Sequence, residues 1–458
     1  MNKEQKLEAK YGLFTAISMV IGQVIGSGIF FKVDDVLVAT EGNVLAGLLG
    51  FIIVGVSVVF AGISMANYAE LLPRDGGILS YVNFRFGDTA SFFVGWMYMT
   101  LFYPILTAVL FTVSGIYIAH LIADYTALTP GPLQFLLIGL MNLIIFFLIN
   151  IFRPRESGIF QQFTTVLKVL PLIFIAALGI LSLMDSGTPA VNQFAQRGEG
   201  LQSQSFLMLV AASFIPISFA FDGWYIATQI SGEIKDSRRN LPRALIIGTV
   251  SVMVIYISYY LGIVLRMSSA DIITLKDTYI TEFARRIASD SGALLMQLFI
   301  IISVLGTSNG LLLATIRVPY QFSNLPKSRK VLNLDKVNAH TKMPVNSALL
   351  GAAIVLFYML IYYFTNTEIF FTKRNFDLSA IPIVFIYIVN GALFLGLFKL
   401  IRARSFSGNA LIKKIMAIIA VFGIVVVLFG TFSSPNGITY FMINVGFMLT
   451  AFALMRKK

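Results

Sequence analysis

Apolar residues in this chain come in blocks of about twenty, and no other feature limits its fold as strongly. Residues 43–70 form one such block, NVLAGLLGFIIVGVSVVFAGISMANYAE. A helix rises about 1.5 Å per residue, so roughly twenty apolar residues cross a hydrocarbon core about 30 Å thick. Twelve such spans are expected, near 11–37, 43–70, 80–119, 131–152, 158–184, 203–232, 242–266, 292–322, 345–365, 378–400, 411–431 and 438–455. The fold class that follows is an all-α membrane protein. Composition agrees: only 12% of the residues are charged, against roughly 25% in soluble domains.

The charges test the span count. Of the 34 Lys and Arg residues, 24 fall on one side of the predicted membrane and 8 on the other, with Lys168 and Arg317 inside or at the end of spans. Basic loops mark the cytoplasmic side, so both termini are expected there, in a bacterial inner membrane. The net charge of +12 comes from these loops and gives no reason to expect a nucleic-acid partner. The chain has no cysteine, which removes disulfide-linked subunits, thiolate metal sites and cysteine nucleophiles. Its two histidines, His120 and His340, fall in predicted loops, too far apart to share a metal. No metal and no cofactor is expected. The charged start MNKEQKLEAK, with no small-residue cleavage site after the first apolar run, does not read as a cleaved signal.

Two spans carry interruptions. The first contains GQVIGSGIFF, residues 22–31, with three glycines in seven positions. Each glycine costs a helix about 1 kcal/mol relative to alanine. No lysine follows, so this is not a phosphate loop. Small residues four apart, Gly22 and Gly26, suit a close helix-packing seam. The sixth span, SFIPISFAFDGWYIATQISGE, places Asp222 in mid-span beside Gly223 and after Pro216. A carboxylate there costs about 2.5–3.5 kcal/mol on insertion scales and marks a functional candidate. It could also serve only to cap broken backbone or pair with a lysine. Interruptions at corresponding positions of two halves point to a transporter's binding site, because backbone freed inside a membrane must line a cavity. N–H groups after Gly26 suit an anion. Freed carbonyls near Phe219 and Ala220 suit a cation, so a zwitterion such as an amino acid satisfies both.

GQVIGSGIF, YAELLPRDGGILSYV, FAFDGW with GEIKDSRRNLPRA, and GTSNGLLLATIR occur in that order over the first 345 residues. Together they resemble the amino acid–polyamine–organocation superfamily, nearest to its L-amino-acid transporter branch and the bacterial serine/threonine or alanine/serine exchangers. The resemblance implies a 5+5 inverted repeat, 1–184 and 203–400, with discontinuous helices 1 and 6. Two extra helices, 11 and 12, lie over 411–455. It implies that backbone at Ile25, Gly26, Ser27, Gly28 and Ile29 holds a substrate carboxylate. Ile217, Phe219, Ala220 and Asp222 would receive the amino group, with Phe219 as a gating aromatic. Gln23 departs from the family wording, as does VPYQFSNLPKSRK after Arg317.

Lys168 stands about ten residues into the fifth span, roughly 15 Å deep at 1.5 Å per residue. A lysine can snorkel to the interface, but this depth is rather great for that escape. By the same resemblance its amine occupies the place of a sodium ion, linking Gly22 or nearby helix-1 backbone to Ser308 or nearby helix-8 groups. Glu70, Glu233, Tyr103 and Asn309 are weaker candidates, as end-cap, gate pair and pathway residues. The function expected is sodium-independent transport of small neutral L-amino acids such as serine, threonine and alanine, by exchange. Proton symport in the same fold, a channel and a nutrient sensor are the alternatives. No nucleophile–His pair or paired carboxylates lie within the spans, so an enzyme is not expected.

Overall fold

The computed structural model describes residues 11–26, 28–72, 77–126, 129–182, 205–328, 332–338, 341, 343–366, 376–403, 409–433 and 436–456. The first span is split into α1 (Leu13–Val24), α2 (Gly28–Phe31) and α3 (Val33–Ala39). The second is α4 (Val44–Leu71). The third begins with α5 (Ile78–Phe86), turns at Gly87, and continues through α6 (Asp88–Met97), a π-helical turn (Tyr98–Phe102) and α7 (Tyr103–Asp124). Next come α8 (Pro132–Phe152) and α9 (Pro154–Ser182). The sixth span is again in pieces: α10 (Phe206–Ala212), α11 (Phe214–Ala220) and a 3-10 stretch (Trp224–Glu233). Then follow α12 (Ser237–Val264), α13 (Ser269–Leu275), α14 (Tyr279–Ser323) and α15 (Val345–Asn366). The described chain closes with α16 (Ala380–Ala403), α17 (Ala410–Ser433) and α18 (Gly437–Arg456).

Among the described residues, ten helical segments are long and apolar enough to cross a membrane. Two shorter apolar helices, Leu13–Val24 and Phe163–Gly179, fall in the first and fifth predicted spans. The molecule is an all-α, multi-pass membrane protein. One expectation needs correction. His120 lies near the end of α7, not in a loop, with its ring 5.6 Å from that of Phe135. The apolar pattern of span 3 simply runs on for another turn.

Contacts divide the chain into two compact units. The first comprises the described parts of Met1–Gly87, Leu172–Ala270 and Tyr387–Ser434. Here α4 packs between α12 and α17. Small residues set that spacing: a Cβ on Gly62 would stand 3.0 Å from the Thr249 hydroxyl oxygen, and one on Gly55 2.6 Å from Met253 Cγ. Lipid gives helices no hydrophobic reason to associate, so close backbone approach supplies the attraction instead. An isolated bridge pairs Tyr11 with Ile234, and the Lys235 N–H donates to the Tyr11 carbonyl at 2.8 Å. It joins the start of span 1 to the segment after span 6.

The second unit comprises Asp88–Pro171, Asp271–Ile386 and Pro435–Lys458, again in its described parts. Here α7 packs against α8, α14 and α15. Gly115 faces the Phe135 carbonyl, and Gly139 in turn faces the Phe111 carbonyl, with no room for a methyl group on either side. Pro104 has no N–H to offer the Thr100 carbonyl four residues earlier. The Tyr358 hydroxyl donates to that carbonyl at 2.9 Å. Thr100 lies inside the π-helical turn through which span 3 continues.

Candidate functional site

The site is built in the first unit, where the breaks of spans 1 and 6 meet. Helix α1 ends at Val24, and Ile25 leaves helical geometry with φ −71° and ψ 87°. The Ile25 and Gly26 N–H groups are already committed, to Ile21 O at 2.7 Å and Val24 O at 2.8 Å. The chain resumes helical geometry at Gly28, whose turn opens with N–H groups that have no partner four residues back in that helix. Ser27 lies outside the described residues. In span 6, Phe221 N donates to Ile217 O at 3.0 Å and Asp222 N to Phe219 O at 3.1 Å, after which Gly223 turns the chain at φ +99°.

Glycine allows a close fit on both sides of this meeting. A Cβ on Gly28 would stand 3.1 Å from Ala220 Cα and 3.4 Å from the Phe219 ring. One on Gly223 would stand 3.2 Å from the Gln23 carbonyl oxygen, in a backbone conformation that L side chains rarely adopt. Gly28 and Gly223 thus each pack at a break. Each of these two glycines packs against the other broken helix. The Gln23 position contributes its backbone here. Gly22 is buried within α1.

One side chain serves both breaks. The buried Tyr256 hydroxyl lies 2.8 Å from the carbonyl of Val24 and 3.1 Å from that of Ala220. These are the last residues of α1 and α11. A hydroxyl has one proton to share between them. The Val24 carbonyl accepts from the Gly26 N–H as well, whereas the Ala220 carbonyl has a second lone pair that can accept from a ligand.

Asp222 is only half-buried as a residue, and its carboxylate accepts from the Tyr225 hydroxyl at 3.1 Å. It lines a small cavity together with Ser57, Phe221, Trp224, Tyr387 and Asn390. The free space there, ≈ 10 Å³ for the centre of a water-sized sphere, fits about one water molecule. The buried Asn390 Oδ1 has no hydrogen-bond partner among the described residues.

Lys168 belongs to the second unit. Its side chain is buried, and the amine donates to the Thr307 hydroxyl at 2.9 Å. Ser308, the neighbouring residue, gives its own hydroxyl proton to the Val304 carbonyl at 2.8 Å. Close packing brings α9 to α14 here, since a Cβ on Gly306 would stand 2.7 Å from Thr164 Cβ. Asn309 lies in a buried network. Its Oδ1 accepts from Asn150 Nδ2 at 2.8 Å and from the Ser157 hydroxyl at 3.1 Å. Tyr103 is buried in an aromatic cluster with Tyr98 and Phe102, ring centroids 5.2 and 5.0 Å away. Glu70, near the end of α4, accepts from Lys413 at 2.9 Å. The Glu233 side chain lies outside the description.

Sequence reasoning missed Tyr256, Thr307 and Lys32. A signal for the first was present: Tyr256, Tyr259 and Tyr260 share one face of an apolar helix at i, i+3 and i+4, and all three are fully buried. Thr307 is one hydroxyl among many. Lys32 follows the glycine break directly and reads as a loop charge.

The amino acid permease family model matches this chain over residues 11–454. The chain is 27% identical over 403 residues to the serine/threonine exchanger SteT of Bacillus subtilis (strain 168), a match covering 88% of this chain and 85% of that protein. It is 27% identical over 355 residues to the large neutral amino acids transporter small subunit 2 of Homo sapiens, covering 78% of this chain and 64% of that protein. Against the human cystine/glutamate transporter it is 25% identical over 341 residues, covering 74% of this chain and 66% of that protein. The match thus spans just under two thirds of each human relative.

Proposed function

This chain belongs to the amino acid permease family, and from that premise we propose that it exchanges small neutral L-amino acids across the plasma membrane, independently of sodium. The observation that carries the reading is the meeting of two broken helices at bare backbone, Gly28 against Phe219 and Ala220. A carboxylate would take the N–H groups around the span 1 break, at Ile25, Gly26, Ser27, Gly28 and Ile29. Gly28 and Ile29 are favoured, because the N–H groups of Ile25 and Gly26 are already bonded. An ammonium would take the carbonyl side at Ile217, Phe219 and Ala220, with Asp222 adding negative charge nearby.

Serine, threonine and alanine are the proposed substrates, since the breaks leave little room and SteT exchanges serine and threonine by its name. Sodium independence rests on Lys168, a fixed buried cation held by Thr307 in place of a mobile one. The proposed architecture is an inverted repeat, 1–184 and 203–400, with 411–455 outside it. The termini are proposed to be cytoplasmic, from the basic loops. Alternating access would open the site to one side at a time.

The test is counterflow in liposomes holding the purified protein. Entry of labelled L-serine should require unlabelled L-serine, L-threonine or L-alanine inside, and should be unchanged when choline replaces sodium. Equal entry into empty liposomes would remove exchange from the proposal. Strict sodium dependence would remove the role given to Lys168.

A further inference from the structure

Lys32 is a buried cation to which the transport cycle above assigns no role. Its side chain is 5% exposed, although it stands one residue beyond α2, on the side assigned as outer by the charge pattern. The ammonium lies 2.8 Å from Asp35 Oδ2, and the Asp35 side chain is 48% exposed. The same ammonium sits over the Phe219 ring, 5.1 Å from its centroid. Gly28, one helical turn earlier, lies against the same ring, which a Cβ there would approach to 3.4 Å. Phe219 is thus held by span 1 twice, by backbone and by charge.

We propose that Lys32 is a positioning residue that latches the Phe219 ring, and with it the outer gate, in the closed position. This rests on the reading of the two breaks as the substrate site and of Phe219 as its gate. A buried ammonium needs compensation for lost water, and here Asp35 and the Phe219 ring contribute to it. Asp35 supplies a full negative charge at the water boundary. The ring face supplies the negative end of its quadrupole on the buried side. If Phe219 swings aside, the ammonium loses the ring but keeps Asp35, so the latch opens without stranding a charge. A cation over a ring is worth a shift of roughly 2- to 30-fold between closed and open gate, enough to bias a cycle without stalling it.

The chain has no cysteine, so one introduced thiol reports without background. Ile29 is fully buried beside Gly28. In cells expressing Ile29→Cys, a membrane-impermeant maleimide is added outside and the labelling rate measured. Adding Lys32→Met should raise the rate roughly 2- to 30-fold. Lys32→Arg, which keeps a cation able to lie over the ring, should stay within about twofold of the parent. In a Phe219→Leu background, Lys32→Met should add nothing. An unchanged rate in Lys32→Met overturns the latch, and so does an equal rise with Phe219→Leu in place. Should Lys32→Met fail to reach the membrane, Lys32→Gln is judged by the same criteria. Labelling needs no substrate, so a chain that moves no amino acid would defeat the transport reading and leave the latch still testable.

Discussion

Two regions of this molecule lose backbone hydrogen bonds in mid-span, and a tyrosine answers each loss. In span 3 the cause is one residue, Pro104, and Tyr358 takes the freed Thr100 carbonyl at 2.9 Å. The helix then runs on. In spans 1 and 6 the causes are glycines, the chain leaves helical geometry, and one hydroxyl on Tyr256 faces two carbonyls, at 2.8 and 3.1 Å. Repair at Thr100 is one for one. At Val24 and Ala220 one hydroxyl is shared between two carbonyls, the first of which also takes the Gly26 N–H, beside a Gly28 N–H that the short α2 cannot pair within itself. A helix defect is therefore not by itself a binding site. It becomes a candidate where the freed polarity exceeds what the protein supplies.

The comparison breaks most completely if bulk is tolerated at Gly28. Gly28→Val should weaken serine binding by about 100-fold or more, because its Cβ alone meets Ala220 Cα at 3.1 Å and the branched methyls go further. Equilibrium binding to purified protein measures it, and wild-type affinity would remove the carboxylate assignment.

Next in size is Lys168→Ala, where a charge is lost rather than backbone blocked. Counterflow should fall to about a tenth of the parent or less, with the protein still monodisperse in detergent. Removing a buried charge need not cost stability. Undiminished counterflow would make Lys168 an ordinary buried lysine.

The two tyrosines give the sharpest contrast. Tyr256→Phe and Tyr358→Phe should each cost about 1–3 kcal/mol for a stranded buried carbonyl, seen as lowered thermal stability in detergent. Transport should fall well beyond that loss only for Tyr256→Phe. Equal transport in the two variants would show that the repairs are alike in function as well as in chemistry.

The smallest effect concerns a third irregularity that touches neither. Ser289 breaks the line of α14 at φ +56° and ψ −158°, a region that suits glycine. Ser289→Gly should raise thermal stability by about 1 kcal/mol and leave transport unchanged. A fall in stability would mean that the serine side chain compensates its own backbone.

Much of the fold was legible because membrane thickness imposes a length on every apolar block. The breaks were legible too, since glycine and proline declare themselves locally. What completes the site was less so. Tyr256 is separated from Val24 by 232 residues and Lys168 from Thr307 by 139, distances over which one sequence carries no pairing signal. The Tyr256, Tyr259 and Tyr260 face was visible, but nothing in it said which carbonyls it would meet. Lys32 stayed hidden for a different reason. A lone lysine after a break looks solvated, and only packing shows it beneath water and over a ring.

The reciprocal glycines of α7 and α8 bear on how the molecule is made. Gly115 and Gly139 each receive the other helix's carbonyl, and the loop between the helices is short. Everything this contact needs lies within one stretch of nascent chain. Spans 3 and 4 can therefore close as a hairpin as soon as both have left the insertion machinery, before spans 8 and 9 exist to pack on them. A bulky residue at either glycine should then be felt first during biogenesis, as failed insertion or degradation, rather than as altered transport in the finished protein.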